Sequence, residues 1–215
     1  MVLRSTASSR RSRSRVNVEQ RRIEILEATR SVVLQKGFGG TRIKDVSDAL
    51  GVSTGLVHYH FASKDELLAE TMRYAADADI RRLEKTVAAG SDPVERLDRV
   101  LREYLPGPRD QSWTLWIDAW GEALRSPTLC EISEELDQAW IGILERVIRD
   151  GVTAKRFRTT DPAGSAWRLA ALMDGLGLQV VLHKSTMSRA KMLEHTRSVA
   201  AAELGLRRSD FPSKR

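Results

Sequence analysis

The chain has 215 residues, 41% apolar and 30% charged, which is enough to bury a core in one or two domains. Its 35 Lys and Arg against 29 Asp and Glu leave a formal charge of +6, a balance that favours a polyanionic partner. Cys130 is the single cysteine, so no intrachain disulfide can form, and the most apolar stretch, LAALMDGLGLQVVL (169–182), is too short for a bilayer and holds Asp174 and Gln179.

Residues 1–16, MVLRSTASSRRSRSRV, carry five arginines and no acid. They predict a disordered basic arm rather than a secretory signal, because no apolar run follows the arginines. From residue 17 the pattern is helical. Ile25, Leu26, Thr29, Val32 and Val33 form one apolar stripe, which Gly37 ends as a left-handed cap. A second helix starts with Thr41 as N-cap and ends at Gly51. A third runs from Ser53 to about Phe61. A fourth opens at Ser63 with Glu66 as capping-box partner, follows Leu68, Met72, Ala76, Ile80, Leu83 and Val87, and stops at Gly90.

Similar punctuation sets the rest. Asp92-Pro93 opens a helix that ends by Pro106. Residues 111–126 and 128–150 form two more, closed by Pro127 and near Gly151. Asp161-Pro162 opens a long helix to about His183, and Ser188 caps a last one that ends at Gly205. No alternating strand pattern of useful length occurs. The class is all-α, with about nine helices.

Residues 43–59 have helix-turn-helix spacing. Ser47 is small where two helices cross, Gly51 supplies the turn, and Val46, Leu50, Val52 and Val57 pin the pair. Residues 1–68 hold 12 Lys and Arg against 7 Asp and Glu, so most of the excess charge lies in this third of the chain. His58 and His60 point about 200° apart on a helix and have no third ligand nearby, so no metal site is expected. No cofactor is expected either. No nucleophile–base–acid set, phosphate loop or HExxH motif is present, which argues against an enzyme.

Residues 22–68, RIEILEATRSVVLQKGFGGTRIKDVSDALGVSTGLVHYHFASKDELL, resemble the N-terminal domain of the tetracycline-repressor (TetR) family. The matching positions include Ile25-Leu26, Gly37-Phe38, Thr41, Leu50-Gly51-Val52-Ser53, Gly55, Tyr59-His60-Phe61 and Leu67-Leu68. The resemblance implies a dimeric, cytoplasmic transcriptional regulator that binds a palindromic double-stranded operator, acts as a repressor and is released by a small-molecule effector. An activator or a ligand-independent DNA-binding protein of the same fold is the alternative. It also implies DNA contacts at Ser53, Thr54, Gly55, His58, Tyr59 and His60. Tyr59, Lys64, Thr41 and Arg42 would hold phosphates. His58 departs from the aromatic residue the family more often carries there. The implied domains are the arm 1–16, a DNA-binding domain 17–64, a ligand-binding and dimerisation domain 65–206 and a tail 207–215, with the fourth helix as lever.

All five tryptophans lie beyond residue 110. Trp113, Trp116 and Trp120 share a helix face, and with Trp140 they are either core or the wall of an effector pocket. Asp118 and Glu122 lie off that face. Asp174, in a helix apolar nearly all round, is the better partner for a cationic ligand, with an arginine pair or a dimer contact as other roles. WIDAWGEALRSP (116–127) and the MDGLGLQ helix are similar to the family's betaine-pathway repressor type. Helices 162–184 and 188–205 are the expected homodimer interface, with Gly175 and Gly177 leaving room for close approach.

Overall fold

The computed structural model describes residues 5–107, 111–183 and 186–212, with side chains from Val18 onward. Nine α-helices and no strands occur among them. In order they are α1 (Ser5–Gly40), α2 (Ile43–Leu50), α3 (Thr54–His60), α4 (Lys64–Ala88), α5 (Pro93–Glu103), α6 (Gln111–Ala123), α7 (Pro127–Thr153), α8 (Pro162–Leu182) and α9 (Arg189–Leu204), then a 3-10 turn Arg208–Asp210. No helix of the described residues is long and apolar enough to cross a membrane.

The chain divides into two compact units, Met1–Ala75 with Asp118–Ile132, and Ala76–Ile117 with Ser133–Arg215. The sequence suggested one connecting helix, but α4, α6 and α7 each run through the division. Helical backbone also begins at Ser5, inside the stretch expected as a disordered arm. Arginine is a good helix former, and no Gly or Pro interrupts residues 5–16. Residues 1–4 of that arm lie outside the described residues.

The first unit buries Ile25, Leu26, Val32, Val46, Val57, Phe61 and Leu67 together. Each is at most 7% exposed, and each such burial contributes about 1.5–3 kcal/mol. Thr29 sits in the same stripe at 0% exposure because its hydroxyl donates to the Ile25 carbonyl at 2.7 Å. Gly51 has φ +66, and the Val52 N–H donates to the Ser47 carbonyl at 3.0 Å, which turns α2 into α3. Ser53 Oγ accepts from the Leu56 N–H and caps α3, and Ser63 Oγ accepts from the Glu66 N–H at the start of α4. The Thr41 cap does not form. Thr41 Oγ1 donates to the Gly37 carbonyl at 2.7 Å, and Arg42 takes the cap position of α2.

The second unit centres on Leu97, Leu101, Leu144, Ile148, Leu169, Met173, Met192 and Leu204. Asp92 caps α5 and Asp161 caps α8, each ahead of a proline in the first turn. Asp98 is 3% exposed and accepts from Arg102 Nε at 2.8 Å and Arg197 Nε at 2.7 Å, tying α5 to α9. The expected tail is in part structured. Phe211 is 5% exposed within this core, with the Arg197 guanidinium 5.5 Å from its ring centroid. Residues 213–215 lie outside the described residues.

Candidate DNA-contact helix and effector pocket

In the first unit, α3 is short and only Val57 along it is fully buried. The 3.6-residue period therefore leaves most of the helix facing water. Ser53, Thr54, Gly55, His58 and Tyr59 are all exposed, and Tyr59 is 73% exposed. A tyrosine so exposed on α3 packs little, and its free surface is available to a partner. His60 is half-buried, with its ring edge-on to Tyr59 at 5.1 Å. Burial first, then Arg22 and Arg21, holds His60 below the ordinary histidine range, so it stays neutral near pH 7.

Two further residues flank this helix. Arg42 is exposed at the start of α2, with its backbone N–H on Asp45 Oδ2 at 2.9 Å. Lys64 is half-buried, and its amine donates to the Gly39 carbonyl at 3.2 Å. Thr41 is different. It is 1% exposed, so the side chain expected at a phosphate faces the core and holds the end of α1. Arg22 was not singled out in the sequence. Its guanidinium donates to the His60 carbonyl at 2.7 Å, pairs with Glu70 at 3.2 Å and lies 4.3 Å over the Phe61 ring. It satisfies the C-terminal end of α3 and so fixes where that helix stops. Among the described residues no group of His, Cys, Asp and Glu is placed to hold a metal ion.

In the second unit a cavity of about 70 Å³ lies among α5, α7 and α8. At roughly 10–15 Å³ per water, it takes a group of a few heavy atoms. Tyr104, Trp140 and Trp167 bring aromatic rings to its lining, and Asp137 and Asp174 bring carboxylates. The other lining residues are apolar, and none is Lys, Arg or His. Tyr104 sits edge-on to Trp140 with centroids 5.4 Å apart. Its hydroxyl donates to Asp174 Oδ1 in a short hydrogen bond. Trp140 Nε1 is buried without an acceptor among the described residues.

The electrostatics follow from burial. Loss of water, then the neighbouring Asp174, pushes the Asp137 carboxyl up to about 6. Burial also raises Asp174, against the Tyr104 hydrogen bond, which favours its ionised form. Burial, then Asp174, drives the Tyr104 phenol well up, so it remains a donor. Two carboxylates in a cavity without a counter-charge create a strong demand for a cation.

Trp140 and Asp174 line the cavity. Trp113 does not. It stands behind Tyr104, 5.7 Å from that ring, and its Nε1 donates to the Tyr104 carbonyl at 3.2 Å. Trp116 and Trp120 are half-buried on α6 and are not part of this cavity's wall. Tyr104 and Asp137 were missed. A signal for Asp137 existed, because Asp137, Trp140, Ile141 and Leu144 have i, i+3, i+4, i+7 spacing and place one acid on a buried stripe.

Comparison with known proteins bears on both units. Residues 25–71 match the family model for bacterial regulatory proteins of the tetR family. Residues 93–205 match that of the BetI-type transcriptional repressor C-terminal domain. The transcriptional regulator BetI of Paraburkholderia xenovorans is 30% identical over 177 residues, covering 76% of this chain and 83% of that protein. The regulator PksA of Bacillus subtilis is 23% identical, covering 87% and 94%. A crystal structure of a transcriptional regulator from Saccharomonospora viridis in complex with choline superposes with a TM-score of 0.78 at 30% identity, covering 86% of this chain and 98% of that one. FadR of Bacillus subtilis in complex with stearoyl-CoA shares the fold, with a TM-score of 0.69 at 15% identity.

Proposed function

Because the chain belongs to the TetR family of DNA-binding transcriptional regulators, with a C-terminal domain of the BetI type, we propose that it is a repressor released by a small organic cation. The exposed face of α3, with Ser53, Thr54, Gly55, His58 and Tyr59, enters the major groove. Arg42 and Lys64 approach phosphates beside it. A homodimer formed through α8 and α9 presents two such helices to a palindromic operator in the cytoplasm. Among the exposed large apolar side chains, Trp167 and Leu182 on α8 and Val199 on α9 support that pairing.

The observation that carries the effector reading is the cavity lining. Aromatic faces attract an organic cation electrostatically, and the two carboxylates supply charge that nothing in the lining neutralises. A cation that also bears an acceptor satisfies the Trp140 indole N–H. The Saccharomonospora viridis neighbour was solved in complex with choline, a ligand of this chemistry.

Isothermal titration with choline and with its neutral carbon isostere, 3,3-dimethylbutan-1-ol, tests the reading. The expected result is saturable binding of choline alone. Equal binding of both would show that charge is not what the cavity recognises.

A further inference from the structure

The joint between α1 and α2 is the segment GFGG, residues 37–40. Gly37 breaks the helix with φ +76, a conformation other residues rarely adopt. Phe38 is fully buried behind it. The turn is held largely by side chains distant in sequence. The Phe38 N–H donates to Asp118 Oδ2 at 2.6 Å. A Cβ on Gly37 would lie 3.1 Å from Asp118 Oδ2, and one on Gly39 would lie 3.0 Å from Glu122 Oε2. Asp118 and Glu122 are four residues apart on α6, so one helix face presents two carboxylates to one backbone segment. Lys64 adds a hydrogen bond to the Gly39 carbonyl, and Thr41 one to that of Gly37.

Asp118 pairs with no basic residue in these contacts, and its carboxylate accepts from the backbone N–H that directly follows the break at Gly37. The same helix begins in the other unit, where Trp113 Nε1 donates to the Tyr104 carbonyl.

We propose that Asp118 is a positioning residue for DNA recognition: its carboxylate fixes the Gly37–Phe38 turn from which α2, and through it α3, take their placement. The proposal rests on the reading that α2 and α3 dock on DNA. Thr41 and Arg42 follow the turn directly, so a shift at Phe38 moves the start of α2. Asp118 itself touches no nucleotide in this account.

The test uses the full chain, amide hydrogen exchange at Phe38, and duplexes selected from a random pool by the wild-type protein. Asp118→Ala is expected to speed Phe38 exchange and to weaken duplex binding, each by about tenfold, the scale of one charge-assisted hydrogen bond. Asp118→Asn, whose amide oxygen still accepts, is expected to restore most of both. Asp118→Leu keeps the volume and removes the acceptor, and carries the same test if the alanine variant does not fold. Wild-type protection of Phe38 in Asp118→Ala or Asp118→Leu, or duplex affinity of those two variants within about twofold of wild type, overturns the proposal. If the wild-type chain selects no duplex, the DNA-docking reading fails instead, and exchange at Phe38 still decides whether Asp118 holds the turn.

Discussion

Gly177 and Trp113 occupy one space: the indole ring lies where a Cβ at position 177 would be. The glycine that seemed to make room for a partner helix makes room for a ring of its own chain. Gly177→Ala is therefore expected to displace Trp113 and loosen its hold on the Tyr104 carbonyl. Overpacking of this kind costs about 1–3 kcal/mol. Thermal unfolding should show the loss, and tryptophan emission should shift as the indole moves. An unchanged melting temperature would contradict it.

Asp137 gives the cavity a pH dependence. Its carboxyl titrates at about 6, raised from 3.8 by burial and by Asp174. A protonated carboxyl does not attract a cation, so choline affinity should plateau above that pH. It should fall below it by up to about tenfold per pH unit for one linked proton. Asp137→Asn should weaken binding and flatten this profile. Titration calorimetry between pH 5 and 8, both taken as approximate limits of the region around that pKa, checks both outcomes.

The same shift has a stability consequence of opposite sign. A carboxyl whose folded pKa is raised favours the fold while protonated. That contribution is full below the unfolded value and is lost as pH rises through about 6. Asp137→Asn should accordingly raise the melting temperature of the ligand-free chain at neutral pH. The difference should vanish near pH 4 or below, roughly the ordinary carboxyl range. A melting temperature lowered at neutral pH would show that the ionised carboxylate has a stabilising partner.

On α3, exposure separates binding from stability. Tyr59→Ala removes a side chain that packs little, so unfolding should change by no more than about 0.5 kcal/mol. Duplex affinity should fall across sequences if Tyr59 holds a phosphate. His58→Ala should instead relax base choice at one position, by about 1–3 kcal/mol. Competition between matched and mismatched selected duplexes distinguishes the two.

Asp98 makes a different prediction. Arg197→Ala leaves a carboxylate that is 3% exposed with Arg102 alone, and removing one partner of a buried pair typically costs about 3–5 kcal/mol. Replacing both, as Asp98→Asn with Arg197→Met, should cost less than the single change. Chemical denaturation of the two variants measures the difference.

Much of the fold was legible because helix ends carry local signals. Asp92-Pro93, Asp161-Pro162, Ser188 and Gly205 each act within a turn of their own residue, and all mark real ends. Gly51 and Ser47 marked the helix-turn-helix for the same reason. The cavity was only half legible, since Tyr104, Asp137 and Asp174 lie on three elements and meet only through packing. The face shared by Trp113, Trp116 and Trp120 was visible, but periodicity does not say which wall it packs against. Thr41 carries the same lesson, because its position was read and its burial was not. Asp118 looked spare on its helix, and a backbone N–H 80 residues away uses it.

The central claim joins the two units: a cation in the cavity must weaken DNA binding, and DNA must weaken cation binding by the same factor. The most direct measurement is fluorescence anisotropy of a selected duplex bound to the full chain, titrated with choline, tetramethylammonium and putrescine. The account predicts release by at least one cation, with a midpoint that moves in step with its affinity for the cavity and is lost in Asp174→Asn. A complex that stays intact when calorimetry shows the cavity saturated, or when no cation fills it at all, would contradict the account.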